Sequence, residues 1–163
     1  MNINLSNCLV KQSELDDRIL QMHQQSREST QRKRVLALLV EIAELANETR
    51  SFKYWSLRGP SEKEVLIEEY VDSLHFLLSL SLDLGYEELS LSITKSKLSL
   101  SELFLAFYKA VIELSENFNV YNLERAFERF GQVGIALGFS SSDIVDAYFF
   151  KNEKNHKRQD QSY

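Results

Sequence analysis

Cysteine, proline and tryptophan each occur once in this 163-residue chain, as Cys8, Pro60 and Trp55, and glycine occurs only five times. A single cysteine excludes an internal disulfide and suits a reducing cytosol, so we expect a cytoplasmic protein. With so few helix breakers, and with leucine, serine, glutamate and lysine abundant, the chain reads as all-α. No apolar run reaches the length needed to span a bilayer, and the N-terminus lacks the basic and apolar regions of a signal peptide, so no membrane partner is expected. An excess of positive charge is also missing. The net charge of −5 argues against a general nucleic-acid-binding surface. What is present is an ordinary globular composition, 44% hydrophobic and 26% charged, in a chain of one-domain size with no visible repeat. The expectation is a single domain over residues 1–163, built as a bundle of about six helices.

Two of those helices carry an unusual feature. In the stretch from Val35 to Glu48, the apolar residues Leu38, Leu39, Ile42, Leu45 and Ala46 recur at helical spacing and predict a core-facing stripe. Glu41, Glu44 and Glu48 share one face of the same helix and are bordered by aliphatic residues. Alone, E-x-x-E is the pattern of a solvated acidic face. The stretch from Ser61 to Leu84 repeats the peculiarity, with Glu68, Glu69, Asp72, His75 and Phe76 beside an apolar stripe of Val65, Leu66, Tyr70, Leu74, Leu77 and Leu78. Helices joined by a short connection pack antiparallel, which brings Glu41 and Glu44 opposite Glu69 and Asp72. Four carboxylates converging from two helices form an oxygen-rich site for a hard cation, Mg²⁺ or Mn²⁺.

The remaining chain supplies the surroundings. A first helix is expected from Ser6 or Asn7 to about Gln24, with Gln12 and Asp16 one turn apart beside its inner face; two solvated polar residues are the alternative. Gln24 to Arg34 reads as a loop and helix start capped by Ser29 or Thr30. Phe52, Lys53, Tyr54 and Trp55 sit in the link between the acidic helices, either closing over the core or walling a flat ligand, with Lys53 placed to meet a phosphate. Ser99-x-x-Glu102 is a capping box for a helix to Asn117; Asn122 and Ser141 or Ser142 are expected to cap the last two helices. In the penultimate helix, Gly131 and Gly134 permit close helix approach. The tail from Lys151 carries Lys151, Lys154, His156, Lys157 and Arg158. It is read as a mobile basic segment, residues 151–163, either simply a frayed C-terminus or a lid that would clamp phosphates, with Asn155 and Arg158 reaching one ligand together.

At these residues the chain resembles a known family. Glu41-x-x-Glu44 followed by Glu69-x-x-Asp72 is similar to the metal-binding signature of the all-α, MazG-like nucleoside-triphosphate pyrophosphohydrolases. The segment from Asn47 to Ser56 resembles the one that follows the first acidic motif in dimeric all-α dUTPases. Lys151-Asn152-x-x-Asn155-x-x-Arg158-Gln159 resembles their C-terminal signature, which commonly ends in Gly-Tyr where this chain has Ser162-Tyr163.

The resemblance implies a homodimer that hydrolyses dUTP, and dUDP, to dUMP with two or more Mg²⁺ ions per site. It implies metal ligation by Glu41, Glu44, Glu69 and Asp72, with Glu44 chosen here as the group that takes the proton of the attacking water. Gln12 and Trp55 would lie near the base, and Tyr163 would close over base or sugar. His75, one turn beyond Asp72 on the same stripe, would touch the sugar or else be a buried, satisfied histidine. Lys53, Lys151, Asn152, Asn155 and Arg158 complete the expected substrate contacts. The same chemistry on dCTP or on a broader set of nucleotides stays open, as does a non-catalytic helical interaction module. A di-iron bundle wants two Glu-x-x-His pairs, and here the nearest approach is one Asp72-x-x-His75.

Overall fold

In the computed structural model, which describes residues 1–161, the chain runs β1 (Asn2–Asn4), α1 (Ser6–Met22), α2 (Arg27–Thr49), α3 (Lys63–Asp83), β2 (Ser90–Ser92), α4 (Leu100–Glu116), α5 (Val120–Ala136) and α6 (Ser141–Asp160). The expected all-α architecture of six helices is what is found. α2 and α3 are antiparallel neighbours. Ser61, before α3, donates its backbone N–H to Glu48 at the end of α2, while Arg34 near the start of α2 pairs with Asp83 at the end of α3 (2.7 Å). No single helix among the described residues is long and apolar enough to cross a membrane.

Capping chemistry sets most helix starts. Ser26, Ser99 and Ser140 each accept a hydrogen bond from the backbone of the residue three positions on, and the side chains of Ser29, Glu102 and Asp143 accept one in return from the cap residue's backbone N–H. The Ser99 box is the expected one. α2 begins three residues before the expected cap, because Ser29 serves as the return partner of Ser26; Arg32, Lys33 and Arg34 are therefore helical. α5 is capped by Asn119, whose side chain accepts from the backbone of Asn122, the expected cap.

At the other ends, Gly85 and Gly138 sit at φ +78°. Each closes its helix with the paired bonds of a Schellman motif: Tyr86 to Ser81 and Gly85 to Leu82, then Phe139 to Gly134 and Gly138 to Ile135.

One element was not expected. β1 and β2 pair antiparallel, with Ile3 opposite Leu91, and strap the N-terminus across the segment that follows α3. The core lies between the helices and includes Leu38, Ile42 and Leu45 of α2, Tyr70, Leu74 and Leu77 of α3, Phe107 of α4, Phe127 and Phe130 of α5 and Tyr148 of α6, all buried. Burying these apolar stripes turns the acidic faces of α2 and α3 toward α1 and α6 rather than into the core.

Candidate functional site

Three carboxylates meet where α2 and α3 face each other. Oxygens of Glu41, Glu69 and Asp72 all lie within 4.8 Å of one another, and the three residues are partly buried. Each is held by its helix: Ile42 beside Glu41 is in the core, and Tyr70 and Val71 are fully buried between Glu69 and Asp72. Burial, and then the charges of Asp72, Glu44 and Glu69, push the Glu41 carboxyl up to about 7. Burial followed by the charges of Asp72 and Glu44 raises Glu69 as well. Asp72 is raised by burial, against the opposing hydrogen bond from Lys151. Glu44 is exposed one turn beyond Glu41 and lies outside the tight group, yet its charge is felt by both Glu41 and Glu69.

Lys151 reaches this cluster from α6. Its buried ammonium contacts Asp72 Oδ2 at 2.6 Å and Glu68 Oε1 at 2.9 Å, and Lys154 contacts the same Glu68 oxygen at 2.7 Å. Hydrogen bonds from Lys154 and Lys151 lower Glu68 to about 2. Burial alone would lower Lys151, but its bonds to Asp72 and Glu68 outweigh it and the net shift is upward.

A cleft of about 410 Å³ opens beside the acids, between α1, α2, α3 and α6. Glu41 and Asp72 line it, together with Gln12, Asp16, Arg34, His75, Phe76, Asn155 and Arg158. Its inner wall is a chain of fixed hydrogen bonds. Arg27 holds Asp16 (3.0 Å), whose other oxygen accepts from the Gln12 amide nitrogen (2.7 Å). A carboxylate only accepts, so the Gln12 amide oxygen must face the other way, toward His75 Nδ1 at 2.7 Å. That oxygen also only accepts, so His75 carries its proton on Nδ1. Burial, then the charge of Lys151, lowers His75 to about 3, which keeps the ring neutral. Nε2 is then a bare lone pair, buried and without a partner among the described residues. The ring itself is stacked on Tyr148 at 4.4 Å.

Of the residues singled out in the sequence, Gln12, Glu41, Asp72, His75, Asn155 and Arg158 line the cleft, and Glu69 and Lys151 join it through the acidic cluster. Asn152 is buried and donates to the Lys11 carbonyl and the Tyr148 hydroxyl. Lys53 and Trp55 sit in the α2–α3 link, outside the cleft lining: Lys53 donates to Asn47 Oδ1 (2.6 Å), and Trp55, 65% exposed, meets Tyr54 edge-on. Residues 151–160 continue α6 as helix; Tyr163 lies outside the described residues.

Sequence reasoning missed Glu68 as the Lys151 partner, and it missed the Arg27–Asp16 and Arg34–Asp83 pairs. The usable signal was a polar stripe on the apolar helix α3: Asp72, His75, Ser79 and Asp83 recur at spacings of three and four. Ser79 Oγ donates to Asp16 (2.6 Å), and Arg34 bonds Ser79 and Asp83.

A family model described as dUTPase matches residues 4–163, nearly the whole chain. No curated protein matches the chain. The family match agrees with the one resembled by the acidic pair, the aromatic link and the tail. A match of this extent, over a six-helix fold with carboxylates gathered at a cleft, shows that the chain belongs to the dUTPase family and is a dUTP diphosphatase, a nucleoside-triphosphate pyrophosphohydrolase.

Proposed function

We propose that hydrolysis of dUTP by this chain depends on Mg²⁺, extends to dUDP, and yields dUMP at the cleft between α1, α2, α3 and α6. The observation that carries this reading is the convergence of Glu41, Glu69 and Asp72 at the edge of a cleft that Lys33, Arg34 and Arg158 also line, with its one further acid, Asp16, paired to Arg27. The donor set is all oxygen, which fits a hard cation, and the raised Glu41 marks negative charge that a cation would relieve. Glu41, Glu69 and Asp72 would hold the metal, and with Glu44 beside them the four acids have charge enough for two or more ions. Bound there, the ions would polarise phosphate oxygens and make a bound water more acidic.

The chain's own residues do the rest. Glu44, exposed next to the cluster, takes the proton of the attacking water on its carboxylate. Arg158, which lines the cleft, offsets charge on the phosphates; Lys53 joins it only by leaving Asn47, and Lys151 acts through the acids it bonds. Asn155, in the cleft lining, reaches the ligand together with Arg158, and Asn152, tied to the Lys11 carbonyl, supports that contact. His75 Nε2 accepts a hydrogen bond from a donor on the nucleoside, and Gln12 contributes by holding that ring in one tautomer. Trp55 and Tyr163 close over the base or sugar from outside. In this reading the enzyme is a homodimer of the cytosol.

The test is a hydrolysis screen over the natural nucleotides with Mg²⁺. dUTP is expected to give the highest kcat/KM, because a site that pairs polar edges leaves them unpaired when the wrong base enters. Comparable rates on dCTP or ribonucleotides would replace this reading with the broader one. Glu41→Gln, Glu69→Gln and Asp72→Asn should each cost at least ~10²-fold in rate. Their folds should survive, since Glu41→Gln and Glu69→Gln relieve repulsion and, in Asp72→Asn, Lys151 retains its pair with Glu68. Full turnover by these variants in Mg²⁺ would remove the carboxylate site.

A further inference from the structure

Lys151 spends its charge in an unusual place. Its side chain is only 7% exposed, and its ammonium bonds one oxygen of Asp72 and one of Glu68. Asp72 belongs to the tight carboxylate group, and Glu68 does not. A divalent cation drawn to Asp72 would meet an ammonium already seated 2.6 Å from the Asp72 oxygen. Two cations on one carboxylate repel strongly in a partly dry site. Glu68, one turn before Asp72 on α3, offers a second seat that Lys151 already touches. Glu68 Oε1 is also bonded by Lys154, whose side chain is 43% exposed and can withdraw into water.

We propose that Lys151 is a resident counter-charge for the acidic cluster, which exchanges with the metal. It neutralises Asp72 while no cation is bound, and it passes wholly onto Glu68 when a divalent cation takes Asp72. Lys151 is thereby a positioning residue for metal entry, and Glu68 sets metal affinity without belonging to the carboxylate group. This rests on the metal reading above.

The experiment is calorimetric titration of the full chain with Mg²⁺ alone, without nucleotide. It compares wild type, Lys151→Met, Glu68→Gln, the double variant and Lys154→Met. Lys151→Met should tighten Mg²⁺ about tenfold, and Glu68→Gln should weaken it about tenfold, the scale of supporting-residue changes at metal sites. In the Lys151→Met background, Glu68→Gln should cost less than about twofold, because the ammonium that needed the seat is gone. Lys154→Met, which removes the same charge without touching Asp72, should shift affinity by less than about twofold. Lys151→Gln, which removes the charge and keeps a hydrogen-bond donor, repeats the comparison should the methionine variant fail to fold.

An equal cost of Glu68→Gln in both backgrounds would overturn the exchange, since Glu68 would then act through its field alone. Wild type that binds no Mg²⁺ would overturn the exchange together with the metal reading. Binding without coupling overturns the exchange only.

Discussion

His75 is fixed by residues that never touch the acidic cluster. Arg27 orients Asp16, Asp16 orients the Gln12 amide, and the amide sets the ring tautomer. The same burial that keeps the ring neutral makes it a liability in acid. Its proton affinity in the folded state, about 3, lies below the unfolded value near 6.5. Between these values the unfolded chain binds a proton that the folded chain refuses, so stability falls as pH drops from about 6.5 toward 3, with no contribution above 6.5. At pH 5 the loss should be on the order of 2 kcal/mol. Thermal unfolding of wild type and His75→Asn between pH 7 and pH 5 checks this. Wild type should lose more stability than the variant over that range, and parallel curves would mean that His75 is not held neutral by its site.

At the scale of elements, two contacts decide how α5 and α6 sit on α3. A Cβ on Gly134 would lie 2.8 Å from Tyr70 Cζ. Tyr70 cannot retreat: it is fully buried, stacked on Phe130 at 4.2 Å, and donates its hydroxyl to the Phe130 carbonyl. Gly134→Ala would gain ~1 kcal/mol of helix propensity and lose about 1–3 to overpacking, so a net drop in the urea midpoint is expected, where a solvated helix site would show a rise. α6 is unevenly anchored. Lys151 and Asn152 are buried, whereas its last turns are tied to α1 by Arg18, through the His156 carbonyl and exposed Asp160.

Exposed pairs of that kind contribute little. We therefore propose that the tail opens from its end, and that trypsin cuts at Lys157 or Arg158 faster in the free protein than with Mg²⁺ and a non-hydrolysable dUTP analogue. Equal rates would reject the lid. The helices themselves were legible from apolar spacing, and the acids from their three-residue repeat, because both signals live within one helix. The α2 and α6 starts were misplaced because more than one hydroxyl residue offers a cap, Ser26, Ser29 and Thr30 before α2 and Ser140 to Ser142 before α6, and chain closure selects one. The β1–β2 strap was hidden because three-residue strands some ninety positions apart have no local signature. The Gln12–Asp16 spacing was legible within α1, whereas the Arg27–Asp16 and Gln12–His75 links were hidden for the same reason: each joins different helices, and only packing brings them together.

At the scale of the whole molecule, α2 also carries exposed aliphatic residues. Leu36 and Val40 stand one turn apart there, 62% and 46% exposed. α4 packs beside α2, with the Tyr108 hydroxyl donating to the Leu39 carbonyl, and adds Leu105 and Ile112, two turns apart and exposed by 71% and 43%. Single exposed aliphatics are ordinary, but four on neighbouring helices form a patch. A two-fold axis lets the same patch cover itself, which is the usual route to a homodimer. The α2–α4 face is accordingly proposed as the dimer interface. Because α2 also carries Glu41, the interface would brace the helix that holds the acidic site. Light scattering should give twice the chain mass for wild type and a single chain mass for Leu36→Glu/Leu105→Glu. That variant should also melt earlier, having lost the stabilisation that association supplies by mass action. A wild type that scatters as one chain, or a double variant that remains a dimer, would move the interface off this face.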